Sequence, residues 1–129
     1  MSFQNIRRYE GTFQPAAVNA DETKAILNVK KGDRVIAVQC QKLILAASST
    51  NSSFDIGDGD DPNGYVASLD PEAGSVGDLV DGAGALFGSN LGKLYTADDT
   101  VDIVYTDNTT PGATNPKIRW IIFVLHAGG

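Results

Sequence analysis

Apolar and polar residues alternate over short stretches along most of this chain, with the two-residue period of half-buried β-strands. Val101, Ile103 and Tyr105 alternate with Thr100, Asp102, Val104 and Thr106, between Asp98-Asp99 before and Asp107-Asn108 after. Val35 to Leu45 is a longer run in which Ile36, Val38 and Cys40 form one face before Leu43 and Leu45 appear in the opposite phase. A bulge near Gln41 and Lys42 reconciles the two halves. Ile118 to His126 is apolar on both faces after Arg119, with Trp120, Ile122 and Val124 opposing Ile121, Phe123 and Leu125. That pattern predicts a central strand, or one covered by a neighbouring subunit. Lys93-Leu94-Tyr95-Thr96 reads as a short strand.

Two segments interrupt the alternation. Phe54 and Ile56 lead into a breaker-rich stretch, Gly57-Asp58-Gly59-Asp60-Asp61-Pro62-Asn63-Gly64, and Tyr65, Ala67 and Leu69 alternate after it. Two strand stubs joined by an ordered β-corner is the expectation, with Asp and Asn side chains bonding their own backbone. Glu72 to Gly88 has apolar residues at helical spacing, but Gly74, Gly77, Gly82, Gly84 and Gly88 would each cost a helix about 1 kcal/mol. An extended loop packed on a sheet, with one helical turn, fits better.

Short strands with Gly, Pro, Asn and Asp between them predict an all-β antiparallel sandwich of jelly-roll type, one domain in 129 residues. Residues 1–24 read as an N-terminal arm and connector, and 25–129 as the sandwich. In the arm, Phe3, Tyr9 and Phe13 occupy odd positions and so share one face if extended, with Arg7 and Arg8 beside them. These aromatics either close the core or dock on a partner.

Charge sharpens the division. Residues 1–42 hold seven basic and four acidic side chains (+3), residues 43–129 three basic and twelve acidic (−9), giving the net −6. An acidic body argues against nucleic acid as a partner, which requires a basic footprint. No apolar run follows Arg7-Arg8 as a secretory signal would need, and none reaches the roughly 18 residues of a membrane span. The single cysteine, Cys40, makes no intrachain disulfide and reads as a small buried hydrophobe, in keeping with synthesis in a reducing cytosol.

Chemistry is sparse. His126 is the single histidine and lies three residues from the end, a poor place for the base of a nucleophilic triad. One His and one Cys make no zinc site. Carboxylates are numerous, but Asp55, Asp58 and Asp102 as a glycosidase pair weigh less than the ordinary reading of turn and wet-face residues. Read as an EF-hand, Asp58 puts Leu69 at the twelfth position and Asp60 puts Pro71 there. Asp61 reaches Glu72 but puts Val66 where the loop needs Gly. No cofactor, no metal and no enzymatic activity are expected.

Three segments resemble small structural proteins of tailed bacteriophages: Val29-Lys30-Lys31-Gly32-Asp33-Arg34-Val35-Ile36, Phe54 to Tyr65 with its Ile-Gly-Asp-Gly corner, and Lys93 to Ile103 with Tyr-Thr-Ala-Asp-Asp-Thr. Within that group the chain is most similar to head decoration, or cement, proteins. The resemblance implies a protein assembled in the bacterial cytoplasm and carried on the virion, bound to the major capsid protein in many copies and self-associated as a trimer. Phe3, Ile6, Arg7, Arg8, Tyr9, Phe13 and Trp120 are the candidate contact residues, taken from the aromatic arm and the two-sided final strand. A tail or fibre-associated structural protein is the alternative, since fold does not fix role. A carbohydrate-binding sandwich is the other, and would have to use Tyr65, Tyr95 and Tyr105.

Overall fold

A computed structural model describes residues 5–16, 20–47, 52–88, 92–107 and 114–126. The described residues form nine strands: β1 (Asn5–Phe13), β2 (Glu22–Val29), β3 (Arg34–Ile44), β4 (Ser53–Gly57), β5 (Val66–Leu69), β6 (Leu79–Asp81), β7 (Lys93–Leu94), β8 (Asp99–Thr106) and β9 (Lys117–His126). The sole helical element among them is one 3₁₀ turn, Ala85–Phe87, so none is long and apolar enough to cross a membrane. The strands make two antiparallel sheets. The five-stranded sheet runs β1-β9-β3-β6 with β7 also pairing β3, and the four-stranded sheet runs β2-β8-β4-β5. The result is the expected all-β sandwich.

Between the sheets lies one apolar core. Phe54, Ile56, Val101, Ile103 and Tyr105 point inward from the four-stranded sheet, and Val35, Val38, Cys40, Ile118, Ile122 and Val124 from the other, all essentially inaccessible. Phe13 stacks edge-on against Phe54 at 6.0 Å, closing one side of the sandwich. Burying Cys40 pushes its thiol up to about 12, so it is a neutral core side chain.

β9 is central, between β1 and β3. Its inner row is Ile118, Trp120, Ile122 and Val124, while Ile121, Phe123 and Leu125 face outward. In β3 the register slips twice, between Val35 and Ala37 and between Lys42 and Ile44. The second slip lies just after the expected bulge. The first was not foreseen, and it takes Ile36 off the face it was expected to share with Val38 and Cys40. Another departure is at β5, where Val66 and Leu69, like Tyr65 just before the strand, are buried and Ala67 is exposed. Ser68 adopts φ of 54° and donates its N–H to Asp55 Oδ1 at 2.6 Å, a kink that breaks the alternation.

Residues 1–24 do not separate from the sandwich where they are described. Asn5–Phe13 is β1, in register with β9 over its whole length from Asn5↔His126 to Phe13↔Ile118, and β2 already begins at Glu22. The odd positions do share one face, as expected, but it is the inner one: Tyr9 is half-buried and Phe13 is core. Phe3 lies outside the described residues.

Candidate functional site

The three segments that carry the phage-like motifs meet at one end of the sandwich. Lys30 to Asp33 is the tight passage from β2 in one sheet to β3 in the other. Gly32 sits at φ 96°, and Asp33 Oδ2 accepts the Lys30 N–H at 2.9 Å. Tyr95 to Asp98 carries the chain back, from β7 to β8. The two passages are stitched together by Gly32 N–H to Tyr95 O at 2.7 Å, Tyr95 N–H to Asp33 O at 2.8 Å and Lys31 N–H to Asp98 Oδ1 at 2.9 Å. At the Ile-Gly-Asp-Gly corner, Asp58 Oδ1 accepts the N–H groups of Asp60 and Asp61, each at 3.0 Å. Its other oxygen accepts the Tyr95 hydroxyl at 2.8 Å, and Tyr95 and Tyr65 share a hydrogen bond of 2.5 Å. Burial pushes both phenols up, so they act as neutral donors and acceptors.

This corner is where a cation would be sought. Asp58, Asp60 and Asp99 can each place one carboxylate oxygen within 4.8 Å of the others. Sequence spacing did not find that set, because Asp99 comes from β8. Asp58, however, already accepts three protein hydrogen bonds, which lock the corner. Of the carboxylates considered for glycoside hydrolysis, Asp58 is buried in that lock, and Asp55 and Asp102 lie on the outer face of the four-stranded sheet.

His126 is held more firmly than its position suggested. Its Nδ1 lies 2.9 Å from Asp33 Oδ1 and its Nε2 2.7 Å from the Tyr9 hydroxyl. The ring therefore ties the end of β9 to both β1 and the start of β3. Tyr65, Tyr95 and Tyr105, the rings a carbohydrate platform would need, are all buried at 3% exposure or less. That removes the sugar-binding surface the sequence allowed.

The candidate contact residues divide between two faces. Trp120 and Phe13 are core, and Trp120 lies so tightly over Gly11 that a β-carbon there would come within 2.5 Å of the indole. Arg7 and Tyr9 sit in the inner row, Arg7 exposed at the sheet edge. Ile6 and Arg8 are in the outer row, opposite Leu125 and Phe123. The outer faces themselves differ in chemistry. On the four-stranded sheet the outward rows are Asp55, Asp102, Val104 and a run of Thr and Asn from β2 and β8. On the five-stranded sheet they carry Arg8, Arg34, Lys117 and Arg119 against Glu10 and Asp81. Both of those carboxylates are engaged: Arg8 pairs Glu10 at 3.0 Å, and Gln39 donates to Asp81 at 2.8 Å. The Arg8 hydrogen bond and charge hold the Glu10 carboxyl below the usual range.

No protein-family model matches the sequence, and no curated protein matches it either. Solved structures do. Chains from three phage capsids superpose on it, from the cyanophage Pam1 capsid asymmetric unit (TM-score 0.73, 13% identity), the acid-stable capsid of Helicobacter pylori bacteriophage KHP30 (0.65, 13%) and the capsid of Ralstonia phage GP4 (0.60, 15%). Chains of this fold occur in phage capsids. The matches cover 95, 95 and 98% of this chain and 86, 93 and 86% of the others, so the whole sandwich is shared and not a common sub-motif.

Proposed function

We propose that this protein is a head decoration, or cement, protein of a tailed phage, bound as a trimer to the outer surface of the shell and stabilising it. The observation that carries the reading is the near-complete, reciprocal superposition on chains from phage capsids, at sequence identities too low to reflect anything but the fold. The motif segments agree with it: they build β-corners, and Asp33, Asp58, Tyr65 and Tyr95 use their polar groups to hold those corners together. A rigid sandwich with no assembled catalytic constellation among the described residues suits a role in which binding itself is the output. Decoration would stabilise the mature lattice by mass action, because a ligand that binds one state of the shell lowers the free energy of that state alone. The major capsid protein is the partner, the virion surface the location and the bacterial cytoplasm the site of assembly.

Quantitative mass spectrometry of purified source particles tests this directly. A copy number close to that of the shell protein is expected, with native mass spectrometry of the free chain giving a trimer. A few copies to a few dozen per particle would transfer the protein to the tail or its fibres. Absence from the particle would end the virion reading.

A further inference from the structure

We infer that the outer face of the five-stranded sheet is the docking face, and that it takes an apolar protein surface rimmed by carboxylates. Within the decoration reading, on which this inference rests, that surface belongs to the shell protein.

Exposed apolar side chains are distributed unevenly. Five large hydrophobic residues are clearly exposed among those described: Ile6, Ile44, Val76, Leu79 and Leu94, at 60, 39, 63, 60 and 44%. Four of them stand in the outer rows of the five-stranded sheet, by register with Leu125, Lys117, Gln41 and Arg34 in turn. The fifth, Val76, lies in a loop, and the outer face of the four-stranded sheet has none. A single exposed leucine needs no explanation, but four gathered on one face do. Phe123 and Leu125, both partly exposed, extend the apolar surface between them along β9, while Ile121 is buried beneath its neighbours.

The same face holds an anchoring recess. β6 pairs with Gln39 to Gln41, Gly82 continues that pairing with an N–H to Val38 O at 2.7 Å, and β7 pairs with Arg34 and Val35, so the edge of β3 has no strand partner at Ile36 and Ala37. A groove of about 340 Å³ fills the gap, lined by Ile36, Ala37, Gln39, Asp81, Gly82 and Phe87 among others. Ala37 is the register neighbour of Phe123, which joins the groove to the apolar stripe. That volume admits an aromatic or large aliphatic side chain from a partner, the form that interface anchors usually take.

Charge selects the partner. By formal charge, four cationic residues against two carboxylates make the face positive on a chain of net charge −6. A second copy is a poor occupant. Face to face, it would oppose arginines to arginines. Face to back, it would meet Asp55 and Asp102 but no exposed large apolar side chain. A different chain with an apolar patch and acidic rim satisfies both terms.

The test uses the purified full chain and heads of the source phage from which the protein has been stripped, with binding read by co-sedimentation. The face variant is Ile6→Glu with Leu94→Glu, and each is also made singly. The control is Thr23→Glu with Asn28→Glu, at exposed positions in the outer rows of the four-stranded sheet, adding the same charge to the opposite side. All four sites are exposed, and circular dichroism checks that strand content is retained. At least a ten-fold loss of apparent affinity is expected for the face variant, with the control within two-fold of wild type. Wild type that binds heads together with a face variant that binds equally well overturns the docking face and leaves decoration standing. Wild type that fails to bind heads overturns decoration and the inference with it. A face variant that dissociates the free oligomer shows that copies of this chain cover the face, which also overturns the inference.

Discussion

At the scale of single residues, two positions are constrained far more tightly than their residue types suggest. Gly11 is in the middle of a regular strand and needs no unusual backbone, yet Trp120 lies where its β-carbon would be. Gly11→Ala is therefore expected to cost about 1 to 3 kcal/mol by forcing the indole aside, seen as a lower urea midpoint with red-shifted tryptophan emission. Tyr95 is the other. Its hydroxyl joins Asp58 to Tyr65 inside the protein, so Tyr95→Phe leaves a buried carboxylate oxygen short of a partner. A loss of about 1 to 3 kcal/mol is expected in the same urea measurement, and a change under about 0.3 would show that the corner is not held by this bond. From the sequence, the turn-forming role of Asp58 was legible because it acts on its own neighbours. Its bond to Tyr95 was not, because the two residues are 37 positions apart.

At the scale of elements, alternation located β8, β9 and the end of β4 well, because each has one face against the core throughout. It failed where the backbone changes phase. Counting by twos puts Ile36 on one face with Val38 and Cys40, and Ala67 with Tyr65 and Leu69, but a bulge and a positive-φ serine turn the two strands. Such irregularities have no side-chain signature of their own. The glycine-rich 72–88 segment was legible in the other direction, since its helical spacing was outweighed by backbone cost. It contains β6 and a single 3₁₀ turn. The largest revision concerns β1. Read as an arm, it should be dispensable for folding. As a nine-residue strand paired to β9, bringing Phe13 into the core and Tyr9 to His126, it should not be. Deleting residues 1–13 is expected to abolish cooperative unfolding and to cause aggregation through the exposed edge of β9. A deletion mutant with a sharp wild-type-like transition would restore the arm.

For the whole molecule, the buried ionisable groups predict how stability depends on pH on the alkaline side. Cys40 sits in the middle of the core strand β3, with its ordinary value of 9.0 raised to about 12 by burial. The native thiol thus keeps its proton at pH values where the unfolded chain gives it up. The unfolded state then binds fewer protons than the native one, and stability must fall as pH rises. The contribution is fully present below pH 9 and is lost as pH climbs towards 12. Its limiting slope is about 1.4 kcal/mol per pH unit. Tyr65, Tyr95 and Tyr105 are also pushed upward by burial and act in the same direction, centred on pH 10, where free phenols are half ionised. Between pH 9 and 10 the loss is therefore shared about equally between the cysteine and the three phenols. Urea unfolding across that interval should show Cys40→Val, which keeps an apolar side chain there, losing about half as much stability as wild type. Equal slopes in the two proteins would mean that Cys40 reaches solvent without unfolding. The same thiol gives an independent check in the native state at pH 8. A disulfide reagent should modify it only at the rate of global opening, because the strands on both sides of β3 must separate before the sulfur can be attacked. Fast modification under native conditions would instead locate a local opening of the five-stranded sheet at β6, the short strand that covers Cys40 on one side.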